Sequence, residues 1–140
     1  MNSVMSETPR DPDAAGEIPR DETTRNPTAR PVIVLVRDLM FSSRIAATAR
    51  AAGAPITLLR DPARLAAQPP SPGPGLLIVD LNLPGSIDAA IQWKRAHPSR
   101  EVVGFVSHVD TLTIAQARGS SIDRVLPRSR FVEILPELLT

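Results

Sequence analysis

Five residues of this chain have side chains that could act together: Arg37, Asp38, Asp80, Ser107 and Arg128. Each stands just past a short apolar run. Val32 to Val36 leads into Arg37 and Asp38, Leu76 to Val79 into Asp80, Val102 to Val106 into Ser107, and Val125 to Leu126 runs through Pro127 into Arg128. Taken singly, each has an ordinary structural reading: Asp80 starts a turn before Leu81-Asn82-Leu83-Pro84-Gly85, Ser107 caps, and Arg128 is solvated. Taken together, a carboxylate beside a second carboxylate, a hydroxyl and a guanidinium is the set that stabilises transferred phosphoryl oxygens.

Competing chemistries are poorly supported. Ser107, His108 and Asp110 are too close along an extended segment to aim at one point, which argues against a hydrolase triad. Gly73-Pro74-Gly75 precedes an apolar run instead of following one, the wrong context for a phosphate-binding loop, and no Gly-Lys-Ser/Thr occurs. With no Cys and two distant His, zinc and iron-sulfur sites are improbable, so metal chemistry must use carboxylates. The chain is not expected to be an enzyme. His97 reads as an exposed helix-end residue and Trp93 as packed on its helix. Arg118, Arg124, Arg128 and Arg130 make a candidate basic patch, but no aromatics interleave with them, which argues against nucleic acid.

The apolar runs that position these residues recur at regular distance, with Ile56 to Leu59 as the fifth. Between them lie helical segments. Phe41, Ile45, Ala49 and Ala52 form one stripe closed by Gly53; Asp61 and Pro62 start a short helix reaching about Ala67; Ser86 is placed as the cap of a helix carrying Ile87, Ala90 and Ile91 that ends at His97-Pro98. Asp110 caps a helix with Leu112, Ala115 and Ile114 as its inward candidates, closed at Gly119. A last helix starts near Ser129 with Phe131, Ile134, Leu135 and Leu138, and Pro136 predicts a kink or a late start. Runs that are apolar on consecutive positions indicate strands covered on both faces, and their alternation with helices indicates parallel crossovers. The expected fold is α/β, a doubly wound five-stranded parallel sheet of order 2-1-3-4-5 with flavodoxin-like topology. Ligands of such sheets sit beyond the carboxyl ends of strands 1 and 3, where the winding reverses.

A chain of 140 residues, 42% apolar and 22% charged, is one average domain. Residues 1–30 hold six acids, four Arg and four Pro and almost no large aliphatics, so they read as a disordered tail ahead of a folded domain at 31–140. Gln68 to Gly75, with four Pro in eight residues, reads as an exposed loop. No run approaches the roughly 20 apolar residues of a membrane span, and no secretory signal is visible, so a cytoplasmic location without membrane contact is expected. A formal net charge of +1 is too balanced to mark nucleic acid as the partner.

Over residues 31–140 the sequence resembles the receiver domain of response regulators (CheY-like). The most specific element is Leu76-Leu77-Ile78-Val79-Asp80-Leu81-Asn82-Leu83-Pro84-Gly85, which is similar to the family's phosphoacceptor strand and following turn. The resemblance implies Asp80 as phosphoacceptor, Asp38 as an acid that joins Asp80 in binding a divalent cation, and Ser107 and Arg128 as groups that contact the phosphoryl oxygens. It also exposes departures. Arg37 stands where the family has an acid, Arg128 replaces a Lys, Ser129 replaces a Pro, and Val125 is nearest to the place of the aromatic on strand 5. Arg37 modifies the pocket, since a cation repels magnesium. Pointing inward it stands in for the metal; swung outward on its stem it leaves Asp38 and Asp80 to bind magnesium weakly. The implied function is a stand-alone receiver-like module of a two-component-type pathway, without an appended output domain because the chain ends nine residues after Phe131. Its 4-5 side binds a protein partner, a sensor kinase or a downstream effector. The alternative is a pseudo-receiver that binds its partner independently of phosphorylation.

Overall fold

The computed structural model describes residues 30–68, 74–108 and 110–139. The disordered tail expected at 1–30 therefore lies outside the described residues except for Arg30, and so does most of the expected loop at 68–75. The elements run β1 (Val32–Leu35), α1 (Leu39–Ala52), β2 (Ile56–Leu59), α2 (Pro62–Ala66), β3 (Leu76–Asp80), α3 (Ser86–Ala96), β4 (Glu101–Val106), α4 (Thr111–Arg118), β5 (Arg124–Pro127) and α5 (Arg128–Leu138). The five strands form one sheet of order β2-β1-β3-β4-β5, with every pair parallel. This is the expected doubly wound order. The chain leaves β1 toward one edge and returns past it to β3, so the winding reverses between those two strands.

Consecutive apolar residues in a strand point to opposite faces, and both faces here are covered. Val32, Val34, Leu76, Ile78, Val103 and Phe105 bury against Phe41, Ile45 and Ala49 of α1 and Phe131, Ile134, Leu135 and Leu138 of α5. Their neighbours Leu35, Leu77, Val79, Val102 and Val106 bury against Leu65, Ile87, Ala90, Trp93 and Ala117 from α2, α3 and α4. Each large side chain so buried contributes on the order of 1.5–3 kcal/mol of transfer free energy. Polar clamps close the edge where the strands begin. Glu101 accepts from Arg30 at 2.8 Å and pairs with Arg124 at 3.2 Å, while Asp123 accepts from the Val102 amide at 2.7 Å and pairs with Lys94 at 3.0 Å.

Three local expectations need correction. Ser86 is the first helical residue of α3 and not its cap; Gly85 takes that place with φ of 82°, a left-handed conformation natural to glycine, and Ser86 is turned wholly inside. In α4 the buried residue is Ala117, with Ile114 packed beside it, while Leu112 is 81% exposed and Ala115 is also exposed. Ala117, with no side chain beyond Cβ, lets the helix approach closely, and Leu112 lies about 140° around the axis from it. Finally α5 begins at Arg128 and continues through Pro136. Burial of Ile134, Leu135, Leu138 and Leu139 on both sides of the proline outweighs its cost of about 3 kcal/mol. Asp110 and Asp61 cap α4 and α2 as expected, each accepting from amides two or three residues on.

Gly104 in β4 opens the space that the turn after Asp80 requires. A Cβ built there would lie 2.7 Å from Leu81 side-chain atoms, and the Leu81 amide donates to the Phe105 carbonyl at 2.9 Å. Leu81 is thereby held flat on β4, which fixes the residue before it. Gly104→Ala should destabilise the fold by about 1–3 kcal/mol in urea melts, and Gly104→Ala combined with Leu81→Ala should recover part of that loss.

Candidate functional site at the carboxyl ends of the strands

Asp80 is the last residue of β3, paired in register with Phe105, and its carboxylate is only partly exposed. Its Oδ1 accepts from the Asn82 amide at 3.0 Å, and the other oxygen has no hydrogen bond from the described residues. Burial raises the Asp80 pKa above the ordinary aspartate value, and the negative charge of Asp38 adds to that effect. The Asn82 hydrogen bond and the positive charges of Arg128 and His108 act in the opposite direction and are outweighed. Asp38, Arg128 and His108 are therefore close enough to Asp80 for their fields to reach it.

Asp38 has a structural task as well. As N-cap of α1 it accepts at Oδ1 from the amides of Met40 at 2.9 Å and Phe41 at 3.2 Å, so only its second oxygen is left for other partners. Ser107 follows β4 and is exposed; its amide and that of His108 both donate to Asn82 Oδ1, at 2.7 and 3.1 Å. Arg128 opens α5 and is half-buried, with its guanidinium carbon 3.8 Å from the centroid of the Phe41 ring. Arg37 is exposed and forms no ion pair with Asp38 or Asp80, which corresponds to the outward of the two arrangements considered for it. The basic patch is partly neutralised, since Arg124 pairs with Glu101 and Arg130 with Glu133.

Asn82, His108 and Phe41 belong to this site, and the sequence reading assigned none of them to it. Asn82 carried a usable signal: an amide side chain two residues past a strand end, in an otherwise apolar turn, is suited to bond a neighbouring loop. The positions of His108 and Phe41 relative to Asp80 depend on sheet order and helix rotation and left no local trace.

Among the described residues no three His, Asp or Glu side chains come together as a metal site. A magnesium ion would find two carboxylates, Asp38 and Asp80, each with one oxygen already accepting amide hydrogen bonds. That donor set fits a cation that keeps most of its waters, and does not fit a tight site.

No family model and no curated protein sequence matches the chain. Its fold does match solved receiver domains. A response regulator from Burkholderia pseudomallei, solved with a phosphorylated aspartic acid, a calcium ion and citrate, superposes with a TM-score of 0.63 at 15% identity over 79% of this chain and 66% of its own length. This chain thus spans about two thirds of that protein. An orphan response regulator of H. pylori gives a TM-score of 0.60 at 11% identity, covering 78% of this chain and 96% of that one. An atypical orphan response regulator described as having a phosphorylation-independent mechanism gives 0.61 at 11% identity, covering 78% and 91%. The receiver fold is shared at these identities.

Because the fold raises the Asp80 pKa, ionising Asp80 costs more in the folded than in the unfolded chain. That cost is absent below the unfolded pKa of about 3.9 and is present in full above the folded value. Asp80→Asn keeps an oxygen for the Asn82 amide and removes the charge. Thermal melting should show the variant above wild type at pH 7, with the gap closing as pH falls through 4.

Proposed function

We propose that the chain is a receiver-like signalling module of a two-component-type pathway that binds a protein partner, a sensor kinase or a downstream effector, with Asp80 as its phosphoacceptor. The observation that carries this reading is the open oxygen of a partly buried carboxylate at the reversal point of a receiver fold, with the Arg128 charge and the Ser107 loop beside it. In the transfer, that Asp80 oxygen forms a bond to phosphorus, and the donor's bond to phosphorus breaks with its electron pair leaving on the donor. Arg128 and Ser107 serve the phosphoryl oxygens, and Arg128 can do so through two parallel N–H donors. The module turns over no substrate of its own. Asp38, through its second oxygen, and Asp80, through the oxygen that also accepts from the Asn82 amide, would hold magnesium weakly, and the ion would neutralise phosphoryl charge. No helix among the described residues is long and apolar enough to cross a membrane.

A second reading, a pseudo-receiver that binds its partner independently of phosphorylation, draws support from Arg37 in place of an acid and from the capping duty of Asp38. A single experiment separates the two. Wild type incubated with acetyl phosphate and magnesium should gain one phosphoryl mass by intact mass spectrometry, and Asp80→Asn should gain none. An adduct that persists in Asp80→Asn refutes the pocket; no adduct in wild type leaves the pseudo-receiver.

The charge at position 37 gives a further expectation. Arg37 follows β1 directly beside Asp38, and Arg37→Asp changes the charge there by two units, an effect that solvent at this exposed position weakens without reversing its sign. That variant should bind magnesium at least about tenfold more tightly, with faster phosphodonor reaction, whereas wild type shows little change in melting temperature with millimolar magnesium.

A further inference from the structure

All three phenylalanines of the chain lie in one cluster beneath the site. Phe105 and Phe131 stack at 4.8 Å with 17° between their planes; Phe41 meets Phe105 edge-on at 5.1 Å and lies 6.0 Å from Phe131. All three are 2% exposed or less, so the orientation of each ring is fixed by its neighbours. The face of Phe41 that this packing leaves uncovered carries the guanidinium of Arg128. The chain following β5 brings Arg128 there, and the Asp38 cap sets the first turn of α1 from which Phe41 projects.

Arg128 and Asp80 are near enough to feel each other's charge, yet they form no ion pair. A long, flexible cation beside a carboxylate ordinarily closes on it, and here the aromatic face competes for the same guanidinium. We propose that Phe41 is a positioning residue that holds the Arg128 guanidinium on its ring, off the Asp80 carboxylate, so that the outer oxygen stays open and the cation faces an incoming phosphoryl group. This rests on the reading of Asp80 as phosphoacceptor. Closing the pair would cover the attacking oxygen and use up the donors that the phosphoryl oxygens need. Phe105, the register partner of Asp80, supports the ring on its inner side, so one packed column joins strand, helix and site.

The test reads the Arg128 Nε–H resonance by NMR. In wild type the Arg128 side-chain protons should be shifted upfield by the ring current of Phe41, and Phe41→Tyr should keep that shift. In Phe41→Leu, or in Phe41→Met if the leucine variant does not fold, the Nε–H resonance should move downfield by more than the lost ring current accounts for as the guanidinium closes on Asp80, and adding Asp80→Asn should remove that excess and leave only the ring-current part. Absence of the ring-current shift in wild type overturns the proposal. So does a resonance in Phe41→Leu that is the same with and without Asp80→Asn, because Phe41 is then only a core residue. With acetyl phosphate, the rate of adduct formation should fall about tenfold in Phe41→Leu and recover in Phe41→Tyr. If wild type forms no adduct, the phosphoacceptor reading fails while the NMR comparison still decides the role of Phe41.

Discussion

The three inner strands of a parallel sheet covered on both faces have no wet surface along their length, so a polar side chain that such a strand carries is driven to one of its two ends. This constraint orders the whole molecule. At the starting edge the polar groups pair with one another, Glu101 with two arginines and Asp123 with Lys94 and a backbone amide. At the finishing edge Asp38 and Asp80 have amide partners but, among the described residues, no ion pairs. Among the described residues Asp38 and Asp80 keep one oxygen each outside the hydrogen bonds, and the Arg128 guanidinium, whose charge reaches Asp80, lies on an aromatic ring. One end is therefore electrostatically closed and the other electrostatically unsatisfied, which is the usual difference between a structural and a functional cluster of charge.

The finishing edge is also mechanically stiff. Leu81 lies on the bare backbone of Gly104, Asn82 joins its own turn to the Ser107 loop, and Asp38 fixes the first turn of α1. These contacts hold loops, the segments otherwise least constrained in a domain of this kind. Asp80 sits among these fixed contacts, and burial is the chief cause of its raised pKa.

Sheet order, the strands to within a residue at each end, and the end of the sheet to inspect were legible in the sequence, because double burial writes unbroken apolar runs and their alternation with helical stripes marks them as strands. Asp61 and Asp110 were legible as caps for the same kind of reason: capping is a local act between residues two or three apart. What escaped was rotational. Leu112 and Ala117 are both apolar and sit on one helix, and which of them faces the sheet follows from how closely the helix can approach. Ser86 and Gly85 exchanged roles because a positive φ at the glycine moved the helix start by one residue. The resting place of Arg128 on Phe41 joins residues 87 positions apart and depends on α1 and α5 both being set first. Arg37 was visible as a departure, while its outward course depends on a rotamer that sequence does not encode.

Arg30 links the two ends of the described fold, since one of its nitrogens reaches both Glu101 at 2.8 Å and the Leu138 carbonyl at 3.5 Å. The entry into β1 and the exit from α5 thus meet at the pole opposite Asp80. Tension applied between those two points is borne by the Arg30 contacts and by α5 against the sheet, along a line that does not cross the Asp80 end. A sequence spliced onto either side of the domain joins it at the pole away from Asp80.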